Sequence, residues 1–299
     1  MPQPRAVQVA ASSHVDDWGD ADDRIRRAVA RLFGGGGRRG AARVVVSTVR
    51  AAAGRLEQAA AAWASDELAG IYRLGVQVTA EASGLGLPAS AVDDAVAGLA
   101  ADHVDDVGSV ASGLRRGAAG FRVPDGLPVL SPAEVAGLSP AELADLLEHP
   151  IGLVRYADGS LRTVADHGDM LTRTRAALAY NQAAVDVAVA NGVGWLEVFD
   201  GPDCQWVTHT EGGLANGTVR SVEECAARPL AHPRCQRSFR PRPDVTSARR
   251  AGKAVPLGLP FDDVANPLPL PGPVIVARPR VQRARASRAV RSRRALRRR

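Results

Sequence analysis

Aromatic side chains are scarce in this chain of 299 residues, at 4% of positions, although 45% of the residues are hydrophobic. Much of the apolar content is alanine, so each residue offers little area to bury, and closely packed alanine-rich helices suit such a composition. Cysteine is sparse too: Cys204, Cys225 and Cys235 are the only three, all in one short stretch. An odd, clustered set argues against a disulfide framework and for free thiols or metal ligation. No run of 18 or more apolar residues occurs, so no membrane-spanning helix and no membrane partner are expected. The opening residues, MPQPRAVQVAASS, lack the apolar stretch and cleavage pattern of a secretory signal, which predicts a soluble, unexported protein.

Acidic residues are missing from 278–299, where every charge is an arginine: Arg278, Arg280, Arg283, Arg285, Arg288, Arg291, Arg293, Arg294, Arg297, Arg298 and Arg299. Subtracting these eleven from the formal +6 leaves residues 1–277 at −5. Such a tail is expected to be disordered and to bind duplex nucleic acid without sequence preference, because each neutralised phosphate steepens the fall of log K with log salt by about 0.9. It has no aromatic residue on which single-stranded bases could stack. The plainer alternative is a tail that only solvates the chain or docks on an acidic partner.

The rest predicts an α+β protein: an N-terminal helical region, then a small compact domain with short β-hairpins, then an extended Pro/Arg-rich C-terminal arm. Residues 1–19 are expected to be flexible. Helices are expected from about 20 to 130: one after the acids Asp20, Asp22 and Asp23, ended by the glycines at 34–37; one over 41–64; one capped by Ser65; and more over 85–117. The pairs Asp93 and Asp94, and Asp105 and Asp106, lack a third ligand at fixed spacing and read as solvated helix faces. Two S-P-x-E repeats at 131 and 139 predict short helices with Ser131 and Ser139 as caps and Glu134 and Glu142 reaching back. A hairpin is expected around Asp158 and Gly159, a helix through Met170, Thr174, Leu178 and Val185, and a strand over 195–199. Residues 131–241 form the expected compact domain, 242–277 the proline-rich arm and 278–299 the tail.

The chemistry is concentrated at 200–241. Cys204, His209, His232 and Cys235 are spaced C-x4-H-x22-H-x2-C, and a turn at Asn216 and Gly217 could bring the two pairs together. Two thiolates and two imidazoles suffice for one structural zinc ion in a closed tetrahedron. The alternative is that the cysteines are small buried hydrophobes and the histidines donate to backbone carbonyls. Cys225, inside a helix capped by Ser221, reads as a packing residue. Two enzymatic alternatives stay open: a thiol hydrolase using Cys204 with His209 or His232 as base and Asp200 to orient it, and a metal nuclease around Asp166, His167 and His209. Neither comes with a recognisable oxyanion site or a complete ligand set.

The order of motifs is distinctive: Y-x-D-G (156–159), DMLTRT (169–174), a helix carrying Asn181, G-V-x-x-x-E-V-x-D-G (192–201), C-x-W-x-x-H (204–209), A-N-G (215–217) and P-L-A-H-P-x-C-x-R-S-F-x-P (229–241). This order resembles the Mu F-like minor head proteins of tailed phages, especially their actinobacterial-phage branch. W-x8-Y-x-x-G at Trp63, Tyr72 and Gly75 fits the same group more loosely. The resemblance implies a non-enzymatic structural protein, present in few copies and active in head morphogenesis. It would sit at the portal and inner capsid, against portal, major capsid or scaffold proteins and phage DNA. Its location would be the head interior of the virion, and the host cytoplasm during assembly. Carried over by position, Asp200, Gly201, Cys204, Trp206, His209, His232, Pro233, Cys235 and Arg237 would stabilise the fold, with Asn216 and Gly217 at the turn. Gln205 stands where the family has glycine, which raises the question of a positive φ there; Gln236 replaces an arginine and removes one phosphate contact.

Overall fold

The computed structural model describes residues 3–201, 203–211 and 213–246; the basic tail and most of the expected proline-rich arm lie outside the described residues. The chain opens with α1 (Arg5–Phe33) and α2 (Arg38–Trp63), joined by the glycine run. A π-helical turn (Ala64–Leu68) leads straight into α3 (Ala69–Ser83), and α4 (Ala89–Gly120) follows. After two short helices, α5 (Pro132–Gly137) and α6 (Pro140–Leu146), come the strands β1 (Leu153–Arg155) and β2 (Leu161–Thr163) and the long α7 (Val164–Ala190). The described residues end with β3 (Trp195–Phe199), β4 (Val219–Ser221), α8 (Val222–Ala227) and β5 (Ser238–Pro241). Strands β1 and β2 form an antiparallel hairpin, while the second sheet has the order β4-β3-β5, antiparallel throughout. The architecture is α+β, as expected.

Local signals produced what they predict. Ser131, Ser139 and Ser221 each accept the N–H of the glutamate three residues on, and each glutamate accepts the serine N–H in return. Gly159 takes φ 84° in the β1–β2 turn, and Thr163 caps α7 by accepting the Asp166 N–H at 2.9 Å.

Three expectations are corrected. Residues 5–19 are helical, not flexible: Val7, Ala11, His14 and Trp18 are buried at helical spacing. Ser65 does not start a helix; its hydroxyl donates to the Ala62 carbonyl at 2.9 Å within a rod that continues from α2 to α3. The boundary expected at 130 falls inside one core. Val135, Leu143, Leu147, Ile151, Val154, Tyr156 and Val164 pack in the same cluster as Trp18, Leu32, Val49, Leu56 and Leu114 from α1, α2 and α4.

The central element is α7, which packs on α1 and α3 and reaches the second sheet. It is buried around much of its circumference, including Thr172, Ala176, Ala179, Asn181, Ala183, Val187 and Ala188. Small side chains let its neighbours come close. At Gly168 a Cβ would stand 2.0 Å from Trp18 Cγ, so α1 crosses α7 where no larger residue fits. At Gly75 on α3 a Cβ would meet the Ala183 Cβ at 2.7 Å and the Tyr180 carbonyl at 2.8 Å.

Candidate metal centre

Two segments meet at the site. The first is the excursion between β3 and β4, which folds back through a bridge between Gln205 and Leu214 and a turn at Asn216 and Gly217, where Gly217 has φ 77°. The second connects α8 to β5, where the Cys235 N–H donates to the His232 carbonyl at 3.1 Å and Arg234 takes φ 64°. The second pair of the sequence motif thereby lands on the first.

Cys204 Sγ lies 3.7 Å from His232 Nε2 and 3.8 Å from Cys235 Sγ. Both thiols are buried and the imidazole is half-buried. A disulfide needs the sulfurs about 2 Å apart, so these are free thiols. Zinc bonds of about 2.3 Å to sulfur and 2.0–2.1 Å to nitrogen put the edges of a tetrahedron at about 3.8 Å for S–S and 3.6 Å for S–N. The two distances from Cys204 therefore stand close to the edge lengths of a tetrahedral ion, and all three donor atoms lie within 4.8 Å of one another. His232 Nδ1 lies 2.8 Å from the Pro233 carbonyl, an acceptor only, so Nδ1 carries the proton and Nε2 offers its lone pair to the cluster. These three residues could hold a metal ion. Among the described residues, no other group of three or more His, Cys, Asp or Glu brings its ligand atoms this close.

His209 is beside this triad but not in it. Its exposed ring stacks on His232, centroids 4.2 Å apart and tilted 40°, and its Nδ1 is 3.2 Å from the Asp203 carbonyl. Gln205 does not take a positive φ, so the glycine of the resembling motif is dispensable here.

Behind the thiols sits a buried ion pair. The Asp200 carboxylate accepts Arg237 Nε at 2.7 Å, the Gly201 N–H at 3.0 Å and the Cys235 thiol at 3.5 Å. Arg237, fully buried, also donates to the carbonyls of Gln205 (2.9 Å), Trp206 (3.1 Å) and Arg228 (3.2 Å). The Trp206 ring is flanked by two guanidinium groups, Arg220 at 4.0 Å and Arg237 at 4.5 Å. Asn216 closes the turn by accepting the Asp200 N–H at 3.1 Å. Burial, reinforced by Asp200 and then by Cys235, pushes the Cys204 thiol up, which favours the protonated form unless a cation balances the sulfur.

Other motif residues are joints between elements. Tyr72 donates to Asp186 on α7 at 2.7 Å, Trp63 donates to the Ala10 carbonyl on α1 at 2.9 Å, and Asn181 donates to the Pro229 carbonyl at 2.8 Å. Asp169 pairs with Arg173 and with Arg234 in the turn that carries His232 and Cys235. Cys225 packs with Leu196, Val198 and Phe239, as the sequence predicts.

The nuclease constellation does not assemble. His167 is buried against Trp18, with its Nδ1 3.1 Å from the Tyr156 hydroxyl, whereas His209 stacks on His232. Asp93 is an exposed neighbour of Arg73, but Asp106, expected on a solvated helix face, is instead buried and paired with Arg175. The sequence reading missed a second buried polar cluster. Trp18 Nε1 donates to His14 Nε2 at 3.3 Å, His103 Nε2 lies 3.2 Å from that same nitrogen, and Trp63 stacks on His14. The only local clue was the spacing of His14 and Trp18 on a stretch otherwise rich in acids.

Among the described residues, no helix is long and apolar enough to cross a membrane. No protein-family model, curated protein or solved structure matches the chain.

Proposed function

We propose that this chain is a structural, non-catalytic minor head protein of a tailed phage, with a compact module pinned by one zinc ion. Cys204, His232 and Cys235 would hold the ion, and the neighbouring His209 would close the fourth position. The observation that carries the zinc reading is the donor spacing: 3.7 and 3.8 Å between atoms that no direct bond joins, close to the edges of a tetrahedral site. When bound, the metal supplies a cross-link between the β3–β4 excursion and the α8–β5 turn and stabilises both thiolates. Asp200 and Arg237 hold the two segments in register behind it.

The virion role rests on the order of motifs from 156 to 241, with further support from the use made of the motif residues. Asp169, Asn181, Asp200, Trp206 and Arg237 all have partners within the fold, which suits a scaffold. In this reading the chain works at the portal and inner capsid, and its basic tail, outside the described residues, contacts packaged DNA.

Native mass spectrometry of the full chain tests the metal, with one zinc per chain as the expected result. Cys204→Ser, Cys235→Ser and His232→Ala should lose it, while His209→Ala should keep it with weaker affinity. A folded wild-type chain that never takes up metal would reduce the cluster to packing. Purified particles of the encoding phage test the role: the chain should be present at low copy number, and its absence would refute the assignment.

A further inference from the structure

Residues 24–55 contain nine arginines and no acidic residue, within a body whose net charge up to 277 is −5. The acids of α1 stop at Asp23, and from there to Arg55 the α1–α2 hairpin is basic throughout. Three of the nine have partners: Arg26 pairs with Asp22 at 2.7 Å, Arg27 lies 3.7 Å from Asp23, and Arg38 donates to the Leu127 carbonyl. The other six, Arg24, Arg31, Arg39, Arg43, Arg50 and Arg55, are exposed, and among the described residues none has an ion-pair or hydrogen-bond partner.

The fold turns this run into a surface. Arg24, Arg27 and Arg31 from α1 and Arg55 from α2 line one open groove of about 490 Å³, floored by Ala28 and Ala51, with the hydroxyls of Ser47 and Thr48 at its side. Beside it, Arg39, Arg43, Ser47 and Arg50 recur at spacings of four, four and three, which places them on one stripe of α2. From Arg39 to Arg55 the helix rises about 24 Å at 1.5 Å per residue. One strand of a duplex presents roughly seven phosphates over that distance.

We propose that this hairpin is a binding face for the phosphodiester backbone of duplex nucleic acid, centred on Arg24, Arg27, Arg31 and Arg55. Guanidinium forks match phosphate oxygens bidentately, and the small groove floor lets a backbone approach. The groove lining contains no aromatic side chain for stacking single-stranded bases and no large apolar side chain for entering a lipid surface. The assignment stands on charge and geometry, and it requires neither the virion role nor the tail.

The test uses the full chain and a labelled duplex longer than the hairpin, with affinity read by fluorescence anisotropy across a salt series. The triple variant R24Q/R31Q/R55Q should lower the slope of log K against log salt by about 2.7, three contacts at about 0.9 each. R24K/R31K/R55K, which keeps the charge, should retain the slope. R116Q/R122Q/R155Q, which removes the same charge from exposed arginines elsewhere, should leave it unchanged. An unchanged slope in the groove triple, or equal losses in both glutamine triples, would overturn the proposal. So would loss of sedimentation with phosphatidylserine vesicles alongside unaltered duplex binding, which would make the face a lipid contact. Circular dichroism confirms that each variant is folded.

Discussion

Replacing Arg237 with methionine is the sharpest probe of how the module is held. The side chain is fully buried, and so is its partner Asp200, at 0% and 1% exposure. Methionine fills part of the volume but leaves the Asp200 carboxylate without its counter-charge and removes the guanidinium donations to the carbonyls of Gln205, Trp206 and Arg228. Removing one partner of a buried pair costs about 3–5 kcal/mol, because the charge that remains cannot be resolvated. With a urea m-value of about 2 kcal/mol/M, the unfolding midpoint falls by roughly 2 M. Tryptophan fluorescence suits the measurement, since Trp206 lies against the Arg237 guanidinium and reports on the module itself. In Asp200→Asn/Arg237→Met the stranded charge is gone, so the double variant should be more stable than Arg237→Met alone, with a coupling of about 2 kcal/mol or more. A single variant that loses under about 1 kcal/mol, or a double that is simply additive, would show that the pair does not hold the module.

The close contact of α3 with α7 predicts that Gly75→Ala destabilises by about 1–3 kcal/mol, since two of its three contacts are a backbone carbonyl and a Cβ that cannot swing away. Gly70→Ala on the same helix, which meets nothing within 4 Å, should instead stabilise by up to about 1 kcal/mol; thermal melts compare the two directly. Acid should destabilise the chain through its buried histidines. Burial lowers His14, holds His103 at about 3, where His14 and Arg175 add to the effect, and holds His167 at about 4. The unfolded chain therefore binds more protons below its histidine value of about 6.5, so stability is full above that pH and falls as pH drops toward 4. Each such histidine contributes a slope of up to about 1.4 kcal/mol per pH unit, and His103→Leu should flatten the profile between pH 5 and 6.5 in urea titrations. Chelation during a thermal melt should lower the midpoint of the wild-type chain and leave Cys204→Ser unmoved.

Features that depend on a few neighbouring residues were legible in the sequence. The three capping boxes need only a serine and a glutamate three residues apart, the β1–β2 turn needs Gly159, and the β3 strand stands out as a short apolar run. Helix over residues 5–19 was not legible, because its buried face includes Ala11 and His14, which hydropathy does not mark as core. The divide at 130 looked plausible from its prolines and glycines, yet Leu143 and Ile151 complete a core begun by Trp18 and Leu32. At the candidate site, metal-like spacing singled out both pairs, but spacing does not say which atoms converge. Cys204, His232 and Cys235 do; His209, five residues past Cys204, stacks on His232 instead. The arginine run over 24–55 is present in the sequence, but a run alone does not say which of its side chains share a surface.

The amino-acid sequence by itself determined the helix and turn punctuation, the lack of a disulfide framework and the concentration of thiol and imidazole between 204 and 235. These are matters of composition and of bonds a few residues long. Only the tertiary structure decided which donors share a centre, that Asp200 and Arg237 are buried together, and that arginines from two helices line one groove. Such outcomes depend on how α7 and the second sheet pack against elements distant in the chain, and local propensity carries no term for contacts of that range.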